Sequence, residues 1–162
     1  MSPQLVIRGR VARRILEGAE RLGITPDEYL LELVTQGLDL RDRAVEYVGT
    51  ARELIEEAGE ELGKGNIRQA AEKIWGAAAL AVKAYAYWRD DKRLSSHGEL
   101  WGYMRVLARD MGAWVRETWM YANGVHTCFY EGWCAKDDVE DAYKRIEKLV
   151  GEVAFRIGNG NR

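Results

Sequence analysis

Two histidines, His97 and His126, are the only imidazoles in a chain of 162 residues. His97 sits in "YWRDDKRLSSHGELW", where Arg89, Arg93 and Lys92 crowd close to it, and His126 sits in "GVHTCFYEGW" beside Tyr130 and Glu131. Histidine near tyrosine, glutamate and a lysine is the material of general acid–base chemistry, because such groups exchange protons near neutral pH. Arginines and a lysine so close to a histidine could be nuclease chemistry, or merely a wet connection between two helices. Arg93 and His97 have three residues between them, Arg89 and His97 seven, and Arg116 and His126 nine.

A second set of polar residues falls on an otherwise apolar stretch. Glu72 and Lys83 share a helical face with Gly76 and Ala79, at i, i+4, i+7 and i+11. They stand ~16 Å apart along the axis and cannot pair with each other. Either both line a polar pocket with partners from other helices, or Lys83 snorkels outward and Glu72 lies at the rim. No Ser–His–Asp elbow, HExxH or phosphate-cradling glycine loop is present, and Gly63 and Gly65 in "GKGN" are too few for a nucleotide fingerprint. No catalytic residue is assigned, and no cofactor is expected.

The two cysteines, Cys128 and Cys134, are six residues apart. On one helix they point in different directions, so two buried thiols are expected rather than a disulfide. With no CxxC and no paired-histidine spacing, no metal site is expected.

The elements that must position these residues are helical. "TPDE" gives Thr25 as N-cap, Pro26 as first helical residue and Glu28 as capping acid, opening a helix to about Gln36. Before it, Val11, Ile15, Leu16, Ala19 and Leu22 recur at helical spacing up to Gly23. A longer amphipathic helix runs from Arg41 to Leu62. The helix from Ile67 to about Trp88 is apolar nearly all round and belongs at the centre of a bundle. Ser96 and Glu99 cap the next helix, to about Met111. Another is expected from Ala113 into the Trp133 region, with a break or bend at Asn123–Gly124, and a last one from Asp137 or Asp138 to Ile157.

These readings give an all-α chain: a bundle of four to five long helices over residues 41–158, a short helical N-terminal extension over 1–40, and a frayed tail at 159–162. Apolar residues make up 47% and charged residues 31%, which excludes a disordered chain. No apolar run reaches the ~18 residues needed to cross a bilayer, and no signal peptide is evident, so a cytoplasmic protein with no membrane partner is expected. Scarce amides among many charges form a mild thermophile signature.

The combination "ARELIEEAGEELGKGNIRQAAEKIWGAAALAVKAYA", "LSSHGELW" and "GVHTCFYEGW" resembles the archaeal PaREP family, from about Arg41 to Trp133. The resemblance implies a HEPN-like helical bundle, commonly dimeric, with no biochemical activity attached to the family. Cys128 stands where that family usually has asparagine. HEPN relatives include ribonucleases with an R-x(4–6)-H motif, which no Arg–His pair here provides.

The beginning of the chain, "QLVIRGRVARRILEGAERLGITPDEYLLELVTQGL", looks like a ribbon–helix–helix segment. Gln4, Val6 and Arg8 would then read DNA bases, with Arg10, Arg13 and Arg14 among the candidate nucleic-acid contacts. A net charge of -2 argues against a globally basic nucleic-acid binder. The reading that best fits the sequence is a homodimeric binding or interaction module for a nucleotide, an RNA or a protein partner. A divergent HEPN ribonuclease and a DNA-binding regulator are the alternatives. Glu72, Lys83, His97, His126, Tyr130 and Glu131 are the candidate pocket residues.

Overall fold

The structure, a computed structural model, describes residues 3–160. Among them it contains seven α-helices and no strand. The chain divides into two compact units, one up to Gly37 and one from Leu38 onward.

In the first unit, α1 (Gly9–Leu22) and α2 (Pro26–Val34) form a helical pair. Gly23 closes α1 in the left-handed conformation, φ 68°, which spares the Cβ clash another residue would meet. Thr25 then caps α2, its Oγ1 accepting the Glu28 N–H at 3.1 Å. Tyr29 lies against Gly18, where a Cβ would run into the phenol ring. The segment expected to be a ribbon, Gln4 to Arg8, forms neither helix nor strand.

The second unit holds α3 (Leu40–Gly63), α4 (Ile67–Asp90), α5 (His97–Met111), α6 (Trp114–Glu131) and α7 (Lys136–Asn159). Helix α4 packs against each of the other four. Its residues from Ile74 to Trp88, fifteen in succession, are all buried, as an all-round apolar helix requires. Alanine supplies much of that surface, so neighbouring backbones approach closely. Around it, α3, α6 and α7 turn one apolar stripe inward: Ala44, Val48, Ala51 and Ile55 on α3, and Val139, Ala142, Ile146 and Val153 on α7.

Three local expectations are corrected. Helix α6 runs unbroken through Asn123–Gly124, because Val115, Trp119, Ala122 and Val125 keep one buried stripe across it. The Asn123 side chain serves the helix, donating to the Trp119 carbonyl at 2.8 Å. Cys128 and Cys134 are joined in a disulfide, with Cα atoms 4.9 Å apart. The helix ends at Glu131 and Gly132 turns left-handed, φ 78°, so Cys134 doubles back instead of continuing round the helix. Asn159, placed in the frayed tail, belongs to α7, and residues 161–162 of that tail lie outside the described residues. No helix among the described residues is long and apolar enough to cross a membrane.

Candidate functional site: a ring cluster around Trp75

Three helices each place a short-period set of residues on one side of the bundle. On α4, Arg68, Glu72 and Trp75 follow one another at i, i+4 and i+7 and share a face. On α5, His97 and Trp101 are i, i+4; on α6, His126 and Tyr130 are i, i+4. These are the three stretches singled out in the sequence, and they meet at Trp75.

The His126 ring stacks on Trp75, centroids 4.3 Å apart and planes 23° apart. His97 lies 5.5 Å from Trp75 and 5.4 Å from His126. Tyr130 meets His126 edge-on at 5.0 Å, and Phe129 stands 5.3 Å from Tyr130. Beneath them Trp119, fully buried, is 5.4 Å from Trp75 and takes Trp101 edge-to-face at 6.0 Å. The Trp119 indole N–H has no acceptor among the described residues. Arg68 closes the outer side: its guanidinium sits 5.1 Å from the Phe129 ring, and its Nε donates to the Phe129 carbonyl at 2.8 Å.

The cluster is graded from dry to wet. Trp75 and Trp119 form a buried floor, His126 is half-buried, and His97, Tyr130 and Arg68 are exposed. Burial pushes the His126 imidazole down to about 4 from its ordinary 6.5, and the neighbouring His97 pushes the same way. His126 is therefore neutral at pH 7, with one ring nitrogen donating and the other accepting.

His97 stands at the first position of α5 because Ser96 caps that helix. The Ser96 Oγ accepts the Glu99 N–H at 3.1 Å, while the Glu99 carboxylate accepts the Ser95 N–H at 2.7 Å. The return bond thus falls one residue earlier than in the usual capping box. These backbone bonds hold the Glu99 carboxyl below the ordinary carboxylate range.

The predicted residues divide. His97, His126 and Tyr130 come together. Glu72 lies half-buried one turn before Trp75 on α4. Lys83 is buried eight residues beyond Trp75, ~12 Å along the axis, and is not part of the cluster. Glu131 accepts the Trp133 indole N–H and belongs to the turn after α6. Arg10, Arg13 and Arg14 line one cleft of α1 together with Glu17, and Arg8 is the N-cap of that helix. Among the described residues no group of three or more His, Cys, Asp or Glu side chains could hold a metal ion.

The sequence reading missed Trp75, Trp119, Phe129 and Arg68 as members of the site. For Arg68 and Trp75 the signal was the α4 face they share with Glu72; for Trp119 and Phe129 it was the α6 stripe they share with His126, at i, i+7 and i+10. It also missed a polar network at the other end of α4. Asp110 accepts from the Tyr85 hydroxyl at 2.6 Å and from Arg89 Nε at 2.7 Å. Arg89 also holds Asp90 at 2.9 Å, and Asp90 accepts from Tyr103 at 2.6 Å. Burial, reinforced by Asp110, pushes the Tyr85 hydroxyl up to about 12, and burial likewise raises Tyr103 beside Asp90. The hydroxyl of Tyr103 in turn lowers the Asp90 carboxyl. Arg89 is thereby engaged in a structural knot joining α4 to α5.

Neither a search of curated proteins nor a search of solved structures gives a match. The family model of the archaeal PaREP1/PaREP8 family matches residues 46–150, a span that takes in Trp75, both histidines and the cysteine at 128. With well over half of its length matched, this chain belongs to the archaeal PaREP1/PaREP8 family.

Proposed function

We propose that the chain is a homodimeric, HEPN-like binding module whose ligand surface is the ring cluster around Trp75. The ligand is a nucleobase, carried on a nucleotide or an RNA strand. The observation that supports this is the approach of two histidines to one tryptophan, with Tyr130 edge-on to His126 and a cation at the rim. Exposed rings stack on any base, and each stacked base contributes ~1–3 kcal/mol. Neutral His126 offers both a donor and an acceptor to a base edge, and Arg68 stands where a phosphate would be welcome. The dimer is supported by the first unit, where Leu5, Val6, Val11, Leu16, Leu22 and Val34 are exposed.

Fluorescence anisotropy with a labelled single-stranded RNA of mixed sequence, and calorimetry with ATP, test the site. His97→Ala and Tyr130→Ala each weaken binding roughly tenfold, the magnitude of one lost stacking partner. Affinity unchanged in the double variant removes the ring cluster as the ligand surface. Light scattering that shows only monomer at micromolar concentration removes the dimer.

A second reading has its own observation: the 5.4 Å between His97 and His126 also suits proton transfer during RNA cleavage. The same RNA run on a denaturing gel separates the two. Cleavage lost in both His97→Ala and His126→Ala favours a divergent ribonuclease over a binding module. The DNA-binding alternative rests on the arginine-lined cleft of α1. Salt-insensitive or absent DNA binding removes it.

A further inference from the structure

The face of α6 turned away from His126 borders an apolar cleft of about 290 Å³. Gly124 and Cys128, at i and i+4, form its floor. Tyr121 and Trp133 supply aromatic walls, and Asp138 in the first turn of α7 supplies a carboxylate. Gly124 and His126 are two positions apart, about 200° round the helix, so this cleft and the ring cluster are separate places.

Gly124 is where the cleft departs from ordinary packing. Glycine inside a helix costs about 1 kcal/mol relative to alanine. Gly49, Gly102 and Gly151 are likewise helical glycines with open space beside them, and what sets Gly124 apart is that its space belongs to the cleft. Gly124 is helical, is not among the positive-φ residues, and a Cβ built on it meets no atom within 4 Å. Nothing inside the chain asks for glycine there, and the space it leaves is the floor of the cleft. At the mouth Met120 and Trp133 stay 62% and 54% exposed, large apolar surfaces that a ligand would cover. The Cys128–Cys134 disulfide fixes Trp133 beside the cleft by tying its chain neighbour to the floor.

The charge selects the ligand. Asp138 is the one charged side chain among the described residues that line the cleft, and the Arg145 guanidinium over the Tyr121 ring is held by Glu117. A cation that enters an aromatic-walled cleft beside a carboxylate gains both a charge-assisted hydrogen bond and a cation–π contact. The volume, at the small end of ligand pockets, admits a body of one ring system.

The geometry points to a binding site for a compact aromatic amine. Its ring lies over Gly124, and its ammonium sits between Asp138 and the Trp133 ring. The site is independent of the nucleobase surface and stands or falls separately.

Calorimetric titration of the full chain with tryptamine, indole and indole-3-acetate tests it. Tryptamine binds saturably, indole about tenfold more weakly, and indole-3-acetate more weakly still. Asp138→Asn, at an exposed position, brings tryptamine down to the affinity of indole. Gly124→Leu fills the floor and abolishes binding of both while the far-ultraviolet circular dichroism stays unchanged. No saturation by tryptamine, or equal affinity for all three probes, overturns the assignment. So does a Gly124→Leu variant that binds normally. A Gly124→Leu substitution that turns a dimer into a monomer overturns it too, because the cleft would then be filled by a second copy of the chain.

Discussion

Breaking the Cys128–Cys134 bond tests the local architecture at the end of α6. The bond closes a loop of seven residues, 128 through 134. In the chain-entropy treatment such a loop restricts the unfolded chain by about 8 cal/mol/K, or about 2.4 kcal/mol at 25 °C. Residues 38–162 make up the unit that carries it. At ~2.1 cal/mol/K of unfolding entropy per residue, that unit's Tm should fall by about 9 °C when the bond is absent. The assay is thermal unfolding followed by circular dichroism, on oxidised wild type, on wild type in a phosphine reductant, and on Cys134→Ser. Reduced wild type and Cys134→Ser should melt together, both well below the oxidised protein. Reductant should leave Cys134→Ser unmoved. Two thiols titrating in the denatured, unreduced protein would refute the bond itself. A Tm that shifts by less than about 2 °C would refute the entropy argument, and would mean that the end of α6 opens locally before the bundle does.

The depressed pKa of His126 sets a pH window. Its folded value of about 4 lies below the ordinary 6.5, so between those values the unfolded chain takes up a proton that the folded chain refuses. The stability associated with neutral His126 is complete above about pH 6.5 and is lost as pH falls towards 4. Half-burial reduces the full linkage energy to on the order of 1–2 kcal/mol. Urea unfolding of wild type and His126→Gln between pH 7.5 and 4.5 should give stabilities whose difference narrows or reverses in that window; a constant difference contradicts the shift. Ser96→Ala removes the cap that starts α5 and should cost about 1 kcal/mol. Hydrogen exchange should rise selectively at Glu99 and its neighbours, whereas exchange unchanged there would mean that packing alone holds His97 in place.

The helical architecture was legible because its signals are local. Thr25–Pro26, Ser96 with Glu99, and the nearly all-apolar run from Ile74 to Trp88 each carry their own punctuation or period. The site was legible only in part. His97 and His126 were named for their chemistry, but their meeting at Trp75 depends on how α5 and α6 dock on α4, which no local pattern encodes. Lys83 and Trp75 look alike as members of a buried face, and only the packing shows that one carries the rings and the other does not. The disulfide was missed through a boundary of two residues. A helix read as continuing into the Trp133 region sends Cys134 away from Cys128, whereas one that ends at Glu131 brings it back. Asn123–Gly124 misled in the opposite sense, since local breaker chemistry yields when a buried stripe runs through it.

Helix α4 has a consequence for how this sequence can change. Its centre is enclosed by four other helices, and at Ala77, Ala78, Ala79, Ala81, Ala84 and Ala86 the side chain is already nearly the smallest available. A larger residue at any of them must push a neighbouring helix aside, at ~1–3 kcal/mol, and a glycine gives up helix propensity for nothing. The helix therefore leaves substitution almost no direction in which to move. Variation has to be absorbed by the outer faces of α3, α5, α6 and α7, which carry His97, His126 and Tyr130 of the ring cluster, while its Trp75 stays on α4. The chain is thus arranged as a nearly immutable axle inside a rewritable shell, and the surface can change without disturbing what holds the helices together.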